Sequence, residues 1–338
     1  MTVTINPRDH VILKKDHIEH PKDQKYPGTW INEDDSWDFE KFKKEFHWKI
    51  VQLKEFEIEF DMVGVSPSLS NALRRIMIAE VPLMAIETVY VNQNTSVLND
   101  ELMAQRIGLI PLFANPDSFE KFDGEPTDLN TLVFKCTKMC SYKEGMPKEG
   151  ITDEEMLYDN YKVMSEDLEW VPEGVQKNWM DDIKVQPGIP IVYLRPNQSV
   201  EIECHAIKGI GSDHTKFSPV CTASYRLLPT IEIKKPIVDK DAIKFQKCFT
   251  TGVISIENNK AVVQDARIST VSRECLRHDE FVHKVVLGKK KDHFIFNVES
   301  TGSLTSSTIV KKGLQVLKSK LEAIQSDLRE TDFYLQEQ

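Results

Sequence analysis

The sequence predicts an α+β fold built around a domain whose two halves lie far apart in the chain. Three observations carry this reading. In Phe56-Glu57-Ile58-Glu59-Phe60-Asp61-Met62 apolar and acidic residues alternate, the pattern of a strand with one wet face. A helix start follows at Ser66-Pro67, with Leu69, Ala72, Leu73 and Ile76 at helical spacing before Pro82. Near the other end the pairing recurs: Phe294, Phe296 and Val298 alternate with Ile295, Asn297 and Glu299. A long helix then carries Val310, Leu314, Leu317, Leu321, Ile324 and Leu328 in steps of four and three.

The remaining elements fall between and before these. Residues 1–47 are polar and aperiodic and read as an extension that wraps a partner or stays mobile. Met84 to Val91 is strand-like, and Asn99 to Ile107 reads as a short helix closed by Gly108 and Pro111. The stretch 151–182, with Asp153, Glu154, Glu155, Glu166, Asp167, Glu169, Asp181 and Asp182, reads as a solvated loop rather than a metal cage. Strand-like runs follow at 191–194, 200–204 and 220–228, with turns at Pro196-Asn197 and Gly209-Ile210-Gly211. Val285-Val286-Leu287, the basic turn Gly288 to Asp292 and the run 294–298 read as a hairpin.

Composition bounds the function. The chain has 338 residues, 40% hydrophobic and 28% charged, with a formal charge of −10, which argues against gripping DNA alone. No apolar run approaches the ~20 residues needed to span a bilayer, and the start lacks the pattern of a signal peptide. A reducing compartment is therefore expected. The six cysteines read as free thiols, with Cys204 and Cys221 packed as small hydrophobes inside strands.

No catalytic constellation is present: neither a glycine-rich phosphate loop, nor Gly-x-Ser-x-Gly, nor His-Glu-x-x-His, nor carboxylates spaced to clamp two magnesium ions. Cys136 with Cys140, and His17 with His20, are each half of a zinc site. No enzyme activity, cofactor or metal is expected. The helix after Pro67 carries two faces. Leu69, Leu73 and Ile76 belong to an apolar stripe that packs on the chain's own sheet and at a pair interface. Asn71, Arg74, Arg75 and Ile78 recur on the other side. Two arginines beside an asparagine and an isoleucine suit docking to another protein, because a guanidinium binds carboxylates and carbonyls bidentately. The alternative, a nucleic-acid-contacting module using Arg74, Arg75 and Lys289 to Lys291, lacks a basic stripe with interleaved aromatics.

The run Ser70-Asn71-Ala72-Leu73-Arg74-Arg75-Ile76-Met77-Ile78-Ala79-Glu80-Val81-Pro82-Leu83-Met84-Ala85-Ile86-Glu87 resembles the signature of the alpha-like subunits of RNA polymerases. It continues into Asn94 to Glu101 and Arg106-Ile107-Gly108-Leu109-Ile110-Pro111. His214-Thr215-Lys216-Phe217-Ser218-Pro219-Val220 and Phe296-Asn297-Val298-Glu299-Ser300-Thr301-Gly302 resemble the family's other two signatures. The polymerase II branch carries four zinc-binding cysteines in its inserted domain. Only Cys136 and Cys140 fall near that place here, so the larger alpha-like subunit shared by polymerases I and III is the better match. The equivalent polymerase II or archaeal subunit is the alternative.

The resemblance implies a discontinuous dimerisation domain, antiparallel sheet plus two helices, at 48–92 and 230–338. A β-rich insert at 93–229 interrupts it, behind the 1–47 extension. It further implies a smaller alpha-like partner paired through Leu69, Leu73, Ile76, Val310, Leu314, Leu317, Leu321 and Ile324. The two large subunits would be held through Asn71, Arg74, Arg75 and Ile78, with small zinc-bearing subunits nearby. Catalysis belongs to the large subunits, and the location implied is the nucleus, including the nucleolus.

Overall fold

The computed structural model describes residues 5–22, 31, 34–143, 153–178 and 183–336, without the side chains of Asn178 and of 330–336. The fold is α+β, and the chain divides into two compact units. One comprises residues 1–53, 58–72 and 224–297; the other comprises 54–57, 73–223 and 298–338.

The first unit is organised by the long strand Val285–Ser300. Across its sheet the order is Ile18–Glu19, His10–Leu13, Val285–Ser300, Glu57–Val63, His47–Leu53, with Val220–Ile233 also pairing to the long strand. The alternation at 56–62 places Ile58, Phe60 and Met62 in the core. Phe60 stacks between Phe296 and Trp48, with ring centroids 4.9 and 4.4 Å away, and Tyr225 closes on Phe294 and Phe296. Each such side chain contributes about 1.5–3 kcal/mol by leaving water. A second cluster, around Phe245 and Phe281, joins the helix Asp239–Lys247 to Val11, Leu13, Val285 and Leu287.

The acidic side of the same strand is not wet. Arg267 donates to Asp61 Oδ2 at 2.8 Å and to Glu59 Oε1 at 2.5 Å, and His293 Nε2 lies 3.1 Å from Asp61 Oδ2. Asp61 is only 5% exposed. The charges are tolerated because they are paired across the sheet rather than solvated.

The second unit holds a four-stranded sheet in the order Glu169–Val171, Thr131–Met139, Ser199–Gly209, Leu83–Asn94, antiparallel throughout. The helix Asp100–Gly108 packs on it, burying Met103 and Ile107 in a core with Met84, Ile86, Phe134 and Cys204. Burial pushes the Cys136 thiol up to about 11 and that of Cys204 to about 12. Cys140 is buried in the same core. Among the described residues no group of three or more His, Cys, Asp or Glu could hold a metal ion. No described helix is long and apolar enough to cross a membrane.

Four expectations are corrected. The hairpin at 285–298 is one continuous strand, because Leu287 to Lys290 pair with His10–Leu13. Gly288 is required there for close approach, since a Cβ would meet Thr230 Oγ1 at 2.9 Å and the Val11 carbonyl at 3.0 Å. Lys289 to Lys291 are therefore strand residues and not a basic turn; Lys291 is buried and donates to the Pro7 carbonyl. By the same pairing, His10–Leu13 of the polar extension is an integral strand. The acidic stretch is not a bare loop either. Val163 and Leu168 are core residues, and Glu169–Val171 pairs with Thr131–Met139, while Asp181 and Asp182 lie outside the described residues. Finally, Cys221 is exposed where Cys204 is buried.

Burial opposes ionisation of Asp61, but hydrogen bonds from Arg267 and His293 outweigh it and hold the carboxyl below its ordinary range. A carboxyl with a lowered folded pKa stabilises above its unfolded value of about 4. That contribution is lost as pH falls through the folded pKa. Asp61→Asn is thus expected to flatten the acid limb of the stability curve below about pH 4. Chemical denaturation at stepped pH checks this; equal limbs in both proteins contradict it.

Candidate functional site

Two helices carry the residues singled out from the sequence, Pro67–Ala79 and Ser306–Gln336. The first starts with Ser66, whose hydroxyl oxygen accepts from the Leu69 N–H at 3.4 Å, and with Pro67 inside the first turn. Its end is tied down from a distance. The Ala79 carbonyl accepts from both the N–H and the hydroxyl of Ser212, each at 2.9 Å. Gly211 makes that approach feasible, because a Cβ there would stand 2.3 Å from the Ile78 carbonyl oxygen.

The buried side of this helix is Ser70, Leu73, Ile76 and Met77. Leu69 and Ala72 are half-buried, so the buried arc is turned toward Ser70 and Met77 relative to the expected stripe. Leu73 and Ile76, placed on a partner interface by the sequence reading, are 1% and 3% exposed within this chain alone. They anchor the helix and present no surface, which corrects that expectation for these two residues. Opposite them, Arg75 is exposed, and Asn71, Arg74 and Ile78 are half-buried. The four share the arc that the 3.6-residue period assigns them.

The long helix is held by its first turns. The Ser306 N–H donates to the Glu55 carbonyl at 2.8 Å, and its hydroxyl to the Lys54 carbonyl at 2.9 Å. Ile309, Val310, Lys312 and Gly313 are buried. Lys312 reaches Asp117 Oδ2 at 2.5 Å, and Lys320 reaches Glu80 at 2.7 Å. At Gly313 the two helices meet: a Cβ there would lie 3.0 Å from Met77 Cγ and 3.4 Å from Leu73 Cδ1. Val310 ends inside the chain's own core. Beyond it the heptad stripe is in water. Leu317 is half-buried, while Leu314, Leu321, Ile324 and Leu328 are 42%, 59%, 55% and 61% exposed.

The sequence reading missed Ser70, Met77, Gly313 and the clasp made by the signature segments. Lys216 donates to the Ile86 carbonyl at 2.8 Å and pairs with Glu87 at 2.5 Å. Phe217 is buried against Gly209, and the Pro219 carbonyl accepts from the N–H and hydroxyl of Thr301 at 3.0 and 3.2 Å. All three motif segments thus touch. A signal for Gly313 existed, since an interior helix glycine costs about 1 kcal/mol relative to alanine and marks a close approach.

Residues 59–321 match the family described as the RNA polymerase Rpb3/Rpb11 dimerisation domain. The chain belongs to this family. It is 45% identical to the RNA polymerases I and III subunit RPAC1 of Saccharomyces cerevisiae over 312 residues, covering 89% of this chain and 93% of the relative. The human RPAC1 is 39% identical over 337 residues, at 95% and 97% coverage. In Dictyostelium discoideum the polymerase I and III subunit rpac1 is 36% identical, covering 96% of this chain and 94% of the relative. The polymerase II subunit rpb3 of that organism is 32% identical, at 83% and 94% coverage.

The helix crossing is tight enough to test. Gly313→Ala faces a flexible methionine side chain and is expected to change stability little. Gly313→Leu overpacks the crossing and is expected to cost about 1–3 kcal/mol. Thermal unfolding reads both; an unchanged midpoint for the leucine variant contradicts the close contact.

Proposed function

We propose that this chain is the larger alpha-like subunit of nuclear RNA polymerases I and III, an architectural and non-catalytic component. It pairs with a smaller alpha-like subunit, and the pair serves as the platform on which the large catalytic subunits assemble. Small zinc-bearing polymerase subunits complete its surroundings. Its work lies in the nucleus, and its share in polymerase I extends this to the nucleolus. The observation that carries the reading is the exposed stripe Leu314, Leu321, Ile324 and Leu328 on a helix whose other flank is already anchored. A contiguous apolar stripe of this kind marks a protein interface, and the family to which the chain belongs is defined by dimerisation. The higher identity to the polymerase I and III relative than to the polymerase II relative of one organism supports the assignment to that pair of enzymes.

The partner helix lies along the stripe from Leu314 to Leu328, with Leu317 completing it. Pairing of this obligate type buries about 2,000 Å² or more. Asn71, Arg74, Arg75 and Ile78 form the second surface, for the large subunits. Arg75, the exposed one, supplies the planar donor fork suited to carbonyls and carboxylates on a docking chain.

Two substitutions separate these roles. Leu321→Asp sits in water in the free chain and leaves it folded, but in the pair it buries an uncompensated charge at a cost of several kcal/mol. Co-expression followed by sedimentation is expected to find no heterodimer; retained one-to-one pairing contradicts the interface. Arg75→Ala is expected to leave the pair intact and to weaken large-subunit docking by about 2 kcal/mol, with lysine restoring only part. Co-purification of both large subunits at unmodified levels in stringent salt contradicts the second surface.

A further inference from the structure

The first unit carries a groove of about 690 Å³ between the segment 35–45, the turn into the Pro67–Ala79 helix and the middle of the long central strand. Its volume lies in the range of sites that hold a small ligand or a few side chains. Asp35 stands in its wall with a side chain only 2% exposed. The Arg8 guanidinium takes Oδ1 and fixes the carboxylate, while Oδ2 is buried and has no hydrogen-bond partner among the described residues. A buried acceptor left in that condition loses the hydrogen bonds it had in water, a cost that is larger when the group is charged. A large aromatic on the same wall, Trp37, is 76% exposed. Phe42 and Leu69 add apolar lining.

The charge of the groove is acidic. Asp35, Asp38, Glu45 and Asp292 outnumber Lys41 and Lys291, and the Lys291 ammonium is directed to the Pro7 carbonyl at 3.2 Å. The helix start at the rim works in the opposite direction, but it carries only a partial charge, where a carboxylate carries a full one. The Leu69 N–H there is already accepted by Ser66. The unsatisfied carboxylate oxygen is the larger effect.

We propose that this groove takes an arginine side chain from an extended segment of another protein chain. The guanidinium donates an N–H to Asp35 Oδ2 and lays its plane on the Trp37 ring, and an apolar neighbour in the segment covers Phe42 and Leu69. Arginine fits better than lysine because it stacks on aromatics, is more weakly hydrated and keeps several donors in a rigid fork. The groove and the leucine stripe of the terminal helix share no residue, so the inference stands independently of the pairing proposed above.

The test is ligand-observed saturation-transfer NMR on the full-length chain with the blocked tripeptide acetyl-Leu-Arg-Leu-amide. Its citrulline, lysine and glutamate counterparts serve as comparisons. Saturable binding of the arginine peptide is expected. About tenfold loss is expected on replacing arginine by neutral, isosteric citrulline, in line with a charge-assisted hydrogen bond. The same loss is expected for Asp35→Asn and for Trp37→Ala. The exposed Trp37 leaves folding unaffected, so its variant decides the matter should Asp35→Asn disturb the Arg8 contact. Circular dichroism establishes that each variant is folded. Equal binding of arginine and citrulline peptides, unchanged binding to folded Trp37→Ala, preference for the glutamate peptide, or no binding to the unmodified chain would each overturn the proposal.

Discussion

A helix as long as Ser306–Gln336 has two apolar flanks, and its own chain can satisfy only one of them. The constraint that decides which is the crossing at Gly313, where Met77 and Leu73 come within van der Waals reach of a backbone that carries no side chain. A residue as large as leucine would hold the helices apart and loosen the lysine contacts to Asp117 and Glu80 that fix the rotation of the helix. With that rotation set, Val310 turns inward and the stripe from Leu314 to Leu328 turns out. The exposed stripe is therefore a consequence of how the other flank is packed.

The motif residues and the neighbouring Ser212 serve the same end. Lys216 binds the carbonyl of Ile86, Ser212 closes the helix end at Ala79, and Pro219 accepts from Thr301 just ahead of the long helix. These contacts link the segment after the first helix, the loop beside Gly211 and the entry to the second helix within one unit. They are backbone-directed hydrogen bonds, several at partly buried sites, where loss of one partner strands the other. The family signatures are thus mostly concerned with placing helices. The two surfaces proposed for other chains are the stripe, which lies outside the signatures, and the arc around Arg75, which lies within the first of them.

Much of this was legible in the sequence where the signal is local. The alternation from Phe56 to Met62, the Ser66-Pro67 helix start and the four-and-three spacing after Val310 each emerged as the elements they predicted. What escaped depends on distant partners. Gly288 to Asp292 looks like a basic turn until His10–Leu13 is laid beside it, and nothing near either segment announces the pairing. Asp61 looks solvent-facing until Arg267 covers it. Leu73 and Ile76 share the period of an interface stripe, yet both are buried within the chain, Leu73 at the crossing with Gly313. Val163, Leu168 and Trp170 are too few among acids to show that their stretch packs on a sheet.

A stripe left in water by the chain's own packing calls for a partner helix to close it. Amide hydrogen exchange along the long helix, measured on the chain alone and with the smaller alpha-like subunit added, addresses it directly. The anchored turns from Ile309 to Val316 are predicted to exchange slowly in both states. Residues Leu321 to Arg329 are predicted to be fast in the free chain and strongly protected in the pair. Unchanged exchange across Leu321 to Arg329 in a sample shown to be paired would contradict the account.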